Sequence, residues 1–117
     1  MEIAGLRDAR GVVHVCLTHE PRGFPNCKES GNLRAAIRAS VGTLHYEFRS
    51  VPAGTYAVSV FHDANNDGKL NTSFGMPTEG FAFSRNPKMR MRAPHFNEAS
   101  FETNGPSLEP LKMKYLL

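Results

Sequence analysis

The residues of this chain with the clearest chemistry run from Asp63 to Thr72, Asp-Ala-Asn-Asn-Asp-Gly-Lys-Leu-Asn-Thr. Asp63, Asn65 and Asp67 alternate, and Gly68 follows. This is the spacing of positions 1, 3, 5 and 6 in an EF-hand-type calcium loop. A hard divalent cation takes six to eight oxygens at about 2.3–2.6 Å, and alternate side chains on a tightly curled loop converge on one point. Glycine allows the sharp turn because it adopts positive φ without a steric cost. The backbone carbonyl of Lys69 takes position 7, Asn71 takes position 9, and Leu70 stands where such loops anchor to a core. Two features depart from the EF-hand. Position 12 is Phe74 rather than a bidentate glutamate, and the residues before the loop read as a strand rather than a helix. A loop framed by strands must draw its last carboxylate from elsewhere, and Glu79 is the nearest downstream. The plainer alternative is an ion-free Asx-rich turn, because Asp, Asn and Gly are also the residues of long hairpin loops. With calcium bound, the loop is expected to act as a structural staple rather than a signalling switch.

Three further groups of residues invite chemistry. The 5 histidines are His14, His19, His45, His62 and His95, and none forms an i, i+2 or i, i+4 pair. His14 and His45 lie on the polar faces of their strands and could share a metal only if those strands were neighbours. His62, followed by Asp63, could serve as the general base of a small hydrolase-like enzyme, with Ser59, Thr72, Ser73 or Ser84 supplying a hydroxyl. Adjacent strand residues face opposite ways, which argues against a direct His62–Asp63 pair. Arg85, Lys88, Arg90 and Arg92 interleave with Met89 and Met91. Such a segment covers a core with its methionines, and its cations could contact an anionic polymer or lipid headgroups. Phe83 and Phe96 only flank it, so the stacking platforms of a specific nucleic-acid site are missing.

The elements that must position these groups follow a period of two. Val13, Val15 and Leu17 alternate with Val12, His14 and Cys16; Leu44, Tyr46 and Phe48 with Thr43, His45 and Glu47; Tyr56, Val58 and Val60 with Ala57, Ser59 and Phe61. Leu111, Met113 and Tyr115 repeat the pattern, which marks half-buried strands. Shorter candidates lie at 2–6, 79–83 and 98–103. Pro52-Ala53-Gly54 reads as a tight hairpin turn between the strands at 43–50 and 55–62. Leu33, Ala36 and Ile37 have helical spacing, so 32–40 is expected to be a short helix, and 84–97 a long loop. The expected fold is an all-β, immunoglobulin-like or prealbumin-like sandwich of about seven antiparallel strands with one short helix.

Length and composition set the outer limits. A chain of 117 residues is one domain's worth, spanning 1–117. No apolar run approaches the roughly 20 residues of a transmembrane helix. The net charge of +3 comes from 14 basic and 11 acidic residues, a bias too mild to name a partner. The 2 cysteines, Cys16 and Cys27, fit no zinc spacing. They are either bridged, in an oxidising compartment, or free thiols.

The run from Pro52 to Thr72 resembles an uncharacterised bacterial family known as domain of unknown function 2141. The stretch from Gly75 to Ser84 is similar to that family's second block, and Pro94-His95-Phe96 with Ala99 and Phe101 to its third. The resemblance implies a small secreted or periplasmic β-sandwich, hence an exported protein whose signal peptide is absent from this sequence. It implies no enzyme activity. The expected role is a non-catalytic binding or structural module for an unknown protein or glycan ligand, with calcium as the candidate cofactor.

Overall fold

A computed structural model of the chain describes residues 1–7, 9–19, 24, 33–48, 51–63, 72–73, 76–77, 80–87, 94–103 and 110–115. Eight strands build two sheets. In the first, β1 (Glu2–Leu6) lies between β10 (Pro110–Lys112) and β4 (Gly42–His45). In the second, β2 (Val12–Thr18) and β5 (Gly54–Asp63) are central, β3 (Leu33–Arg38) flanks β2, and both β8 (Phe81–Phe83) and β9 (Phe101–Thr103) pair with β5. The short strands β6 (Thr72–Ser73) and β7 (Met76–Pro77) pair with each other, and α1 (Phe96–Ala99) precedes β9. The fold is the expected all-β sandwich with one short helix.

Alternation explains the layers. Val13, Val15 and Leu17 of β2 and Tyr56, Val58 and Val60 of β5 turn inward to meet Ile3, Leu6, Leu111 and Met113 of the other sheet and its C-terminal extension. The odd members of β5, from Ala57 to Asp63, face the opposite way. On that outer face a smaller apolar group forms, in which Phe24, Ala57 and Ala99 pack with Phe83 and Phe96. Ser84 joins the layers there: its hydroxyl donates to the carbonyl of Ala99 and accepts the backbone N–H of Val58. The two sheets also meet along one side, where Phe81 and Lys114 exchange both backbone hydrogen bonds.

Several expectations are corrected. The residues 33–38 are not a helix but β3, paired with β2 at every position from Val12↔Arg38 to Leu17↔Leu33. Three apolar residues in so short a window cannot separate a period of 3.6 from one of 2, and tertiary pairing overrides local preference. The short helix lies instead at 96–99, inside the stretch expected to be loop and strand. The turn at 52–54 does not close a hairpin, because β4 pairs with β1 and β5 with β2, β8 and β9. The chain crosses between sheets there, and the Tyr56 hydroxyl donates to the carbonyl of Pro52 at 2.8 Å, as in the tyrosine corners of Greek-key sandwiches. The ladders are antiparallel with one exception, β1 and β10, which run parallel. Gly5, at φ 85°, lies where the β1–β4 register slips, a bulge position that suits glycine.

Candidate functional site

The last two residues of β5 are buried and polar, and they face opposite sides of the sheet. His62 points inward with 1% of its surface exposed. Its Nε2 lies 2.7 Å from the carbonyl of Arg10 and its Nδ1 lies 3.0 Å from the Tyr115 hydroxyl. A carbonyl only accepts, so Nε2 carries the hydrogen, and in the neutral ring Nδ1 accepts from the phenol. That phenol oxygen in turn accepts the backbone N–H of Arg7 at 3.3 Å, and the Arg7 guanidinium stacks 4.2 Å over the Tyr115 ring. Gly80 completes the packing. A Cβ there would lie 2.6 Å from Cζ of Tyr115 and closer still to Cε1.

Asp63 points outward yet is fully buried, at 0% exposure. Its Oδ2 lies 3.0 Å from Nε2 of His14 on β2, whose side chain is 30% exposed. The His14 ring stacks on Phe61 with centroids 4.7 Å apart. The ladder explains the meeting: His14 stands opposite Phe61 and Val12 opposite Asp63, so His14 and Asp63 are diagonal neighbours on one face. The acidic loop therefore begins at a carboxylate whose one oxygen an imidazole already holds.

Of the loop positions singled out in the sequence, only Asp63 is described; Asn65, Asp67, Lys69, Asn71 and Glu79 lie outside the described residues. Both flanks of the segment are defined, however. The N–H of His62 donates to the carbonyl of Gly80 at 2.7 Å, so the residue before Asp63 is bonded to the residue after Glu79. This bond continues the β5–β8 register, in which Phe61 faces Phe81.

The other candidates separate. His14 and His45 do not meet, because β2 and β4 belong to different sheets. His19 lies edge-on to Tyr56, and His95 immediately precedes α1. Among the described residues, no three His, Cys, Asp or Glu side chains gather as a metal-holding group. Ser84, one of the hydroxyls considered for catalysis, is buried and spends its oxygen on backbone groups. The Arg85 guanidinium turns toward the carbonyls of Asn97 and Ser100, each at 3.4 Å. Lys88, Arg90 and Arg92 lie outside the described residues. Cys16 is disulfide-bonded, and the chain holds one other cysteine, Cys27, itself outside the described residues. Sequence reasoning missed His14 and Tyr115 as partners of the β5 terminus. Alternation assigned their faces, but not which strands are neighbours.

A family model for uncharacterized proteins conserved in bacteria, DUF2141, matches residues 1–109. The chain belongs to this family. The match covers His14, Asp63 and Gly80 and stops short of Tyr115. No curated protein and no solved structure matches the DUF2141 chain. No helix among its described residues is long and apolar enough to cross a membrane.

Proposed function

We propose that this DUF2141 domain is a non-catalytic, exported binding or structural module whose loop from Asp63 to Thr72 holds a calcium ion. The ligands would be the side chains of Asp63, Asn65, Asp67 and Asn71, the carbonyl of Lys69, and the carboxylate of Glu79. The observation that carries this reading is the His62–Gly80 hydrogen bond, which ties together the chain neighbours of Asp63 and Glu79. A ligating carboxylate is commonly held by a hydrogen bond from behind, and His14 is placed to act in this way. The disulfide at Cys16 supports an oxidising compartment, and hence export to the periplasm or beyond.

The hydrolase alternative loses support. A general base must reach a substrate proton, but His62 is buried with both ring nitrogens engaged. The polyanion alternative is weakened at Arg85, whose guanidinium faces backbone carbonyls.

Thermal unfolding with calcium and then with a chelator tests the proposal. The expected dissociation constant is about 10⁻⁴–10⁻³ M, the range of extracellular modules. Calcium at a hundredfold that constant should add about 2.7 kcal/mol, and Asp63→Asn should abolish the gain. An unchanged melting temperature in the wild-type chain would remove the ion from the account.

A further inference from the structure

Beyond β8 the backbone turns left-handed at two residues that are not glycine, Arg85 at φ 65° and Asn86 at φ 44°. Such positions are uncommon outside glycine, and asparagine is among the few residues that tolerate them. The turn aims both side chains at backbone groups. The Arg85 guanidinium faces the carbonyls of Asn97 and Ser100, whereas the Asn86 carboxamide reaches β10. Its Nδ2 donates to the carbonyl of Pro110 at 3.1 Å, and its Oδ1 accepts the N–H of Lys112 at 2.8 Å.

Those two backbone groups flank Leu111, which pairs with Ile3 of β1. In a parallel ladder a residue donates its N–H to one carbonyl and accepts the N–H two residues further on. A carboxamide carries the same donor and acceptor, so Asn86 imitates one residue of a parallel strand. β10 is the end strand of its sheet, and among the described residues no strand pairs with its outer side. Pro110 and Lys112 are both exposed. Proline, which has no N–H to offer, and lysine are residues that discourage pairing at natural sheet edges. Lys114 ties the turn to the C-terminal segment a second time, its Nζ donating to the carbonyl of Pro87 at 3.1 Å.

We propose that Asn86 is a plug for the outer edge of β10. Its carboxamide occupies the carbonyl of Pro110 and the N–H of Lys112, the groups a further strand would need, and so keeps a second copy of the chain from pairing there. The left-handed backbone aims the amide and is not the reason that the residue is asparagine. The plug does not involve the acidic loop, so its failure leaves the calcium reading standing.

Asn86→Gly separates the two accounts, because glycine accepts positive φ more readily than asparagine yet offers no amide. In hydrogen exchange of the dilute full chain, the Lys112 N–H should exchange about fivefold faster in this variant. The Met113 N–H, bonded to the carbonyl of Ala4 at 2.8 Å, should keep its rate. In sedimentation from dilute to millimolar protein, the wild-type chain should stay monomeric. The glycine variant should associate with rising concentration, and association should slow Lys112 exchange again. Asn86→Asp also tolerates the left-handed backbone and keeps an acceptor for Lys112 but loses the donor to Pro110, so its Lys112 rate should fall between the other two. Unchanged Lys112 exchange in the glycine variant would overturn the proposal. So would a glycine variant that stays monomeric, one that associates without protecting Lys112, or a wild-type chain that already pairs through β10.

Discussion

His62 and Asp63 are consecutive, equally buried and both polar, yet they answer to different parts of the molecule. His62 faces the sandwich interior and bonds within its own fold, to the carbonyl of Arg10 and to the phenol of Tyr115, over whose ring Arg7 stacks. Asp63 faces outward, shares an oxygen with the half-buried His14, and opens the acidic loop. One step along a strand reverses the face, and with it the role. The first residue joins the N- and C-terminal segments to β5, and the second stands at the mouth of the loop where an ion could bind.

That contrast can be broken experimentally. The largest effect should come from His62→Ala, which removes a buried ring and leaves the Tyr115 hydroxyl and the Arg10 carbonyl without their partner. The expected loss is about 3–5 kcal/mol in denaturant unfolding, the same with calcium or chelator. A calcium-dependent loss would blur the division between the two residues. Gly80→Ala should cost about 1–3 kcal/mol through the clash with the Tyr115 ring. Combining it with Tyr115→Ala should cost less than the sum of the two changes. On the outward side, His14→Ala should cost about 1–3 kcal/mol in chelator, because the Asp63 carboxylate loses a donor. It should also weaken calcium binding about tenfold by calorimetry, as loss of a supporting hydrogen bond does at metal sites. Arg7→Ala, read by thermal melting, should be the smallest change, about 0.5–1 kcal/mol for the cation–π contact with Tyr115, while the backbone bond to Tyr115 stays intact.

Much of the strand pattern was legible in the chain. The faces of β2, β5 and the C-terminal strand are those that alternation predicts, because a pleated strand sends neighbouring side chains to opposite sides. The same rule argued against a direct His62–Asp63 pair. Two misreadings share a cause. Leu33, Ala36 and Ile37 suited a helix, and Pro52-Ala53-Gly54 suited a hairpin, since both are local signals. In the fold, β2 claims the first segment as a strand, and the second becomes a crossing held by Tyr56 and Pro52.

From its sequence alone, the chain determined its class, its family likeness, the two faces of its main strands and a run of oxygen-bearing side chains spaced as in a calcium loop. These depend on residues close together along the chain. Tertiary structure alone decided that His14 meets Asp63, that Tyr115 caps His62, and that residues 33–38 become a strand against β2. Those outcomes follow from which strands become neighbours and in what register, and a one-residue slip in that register would reverse every face.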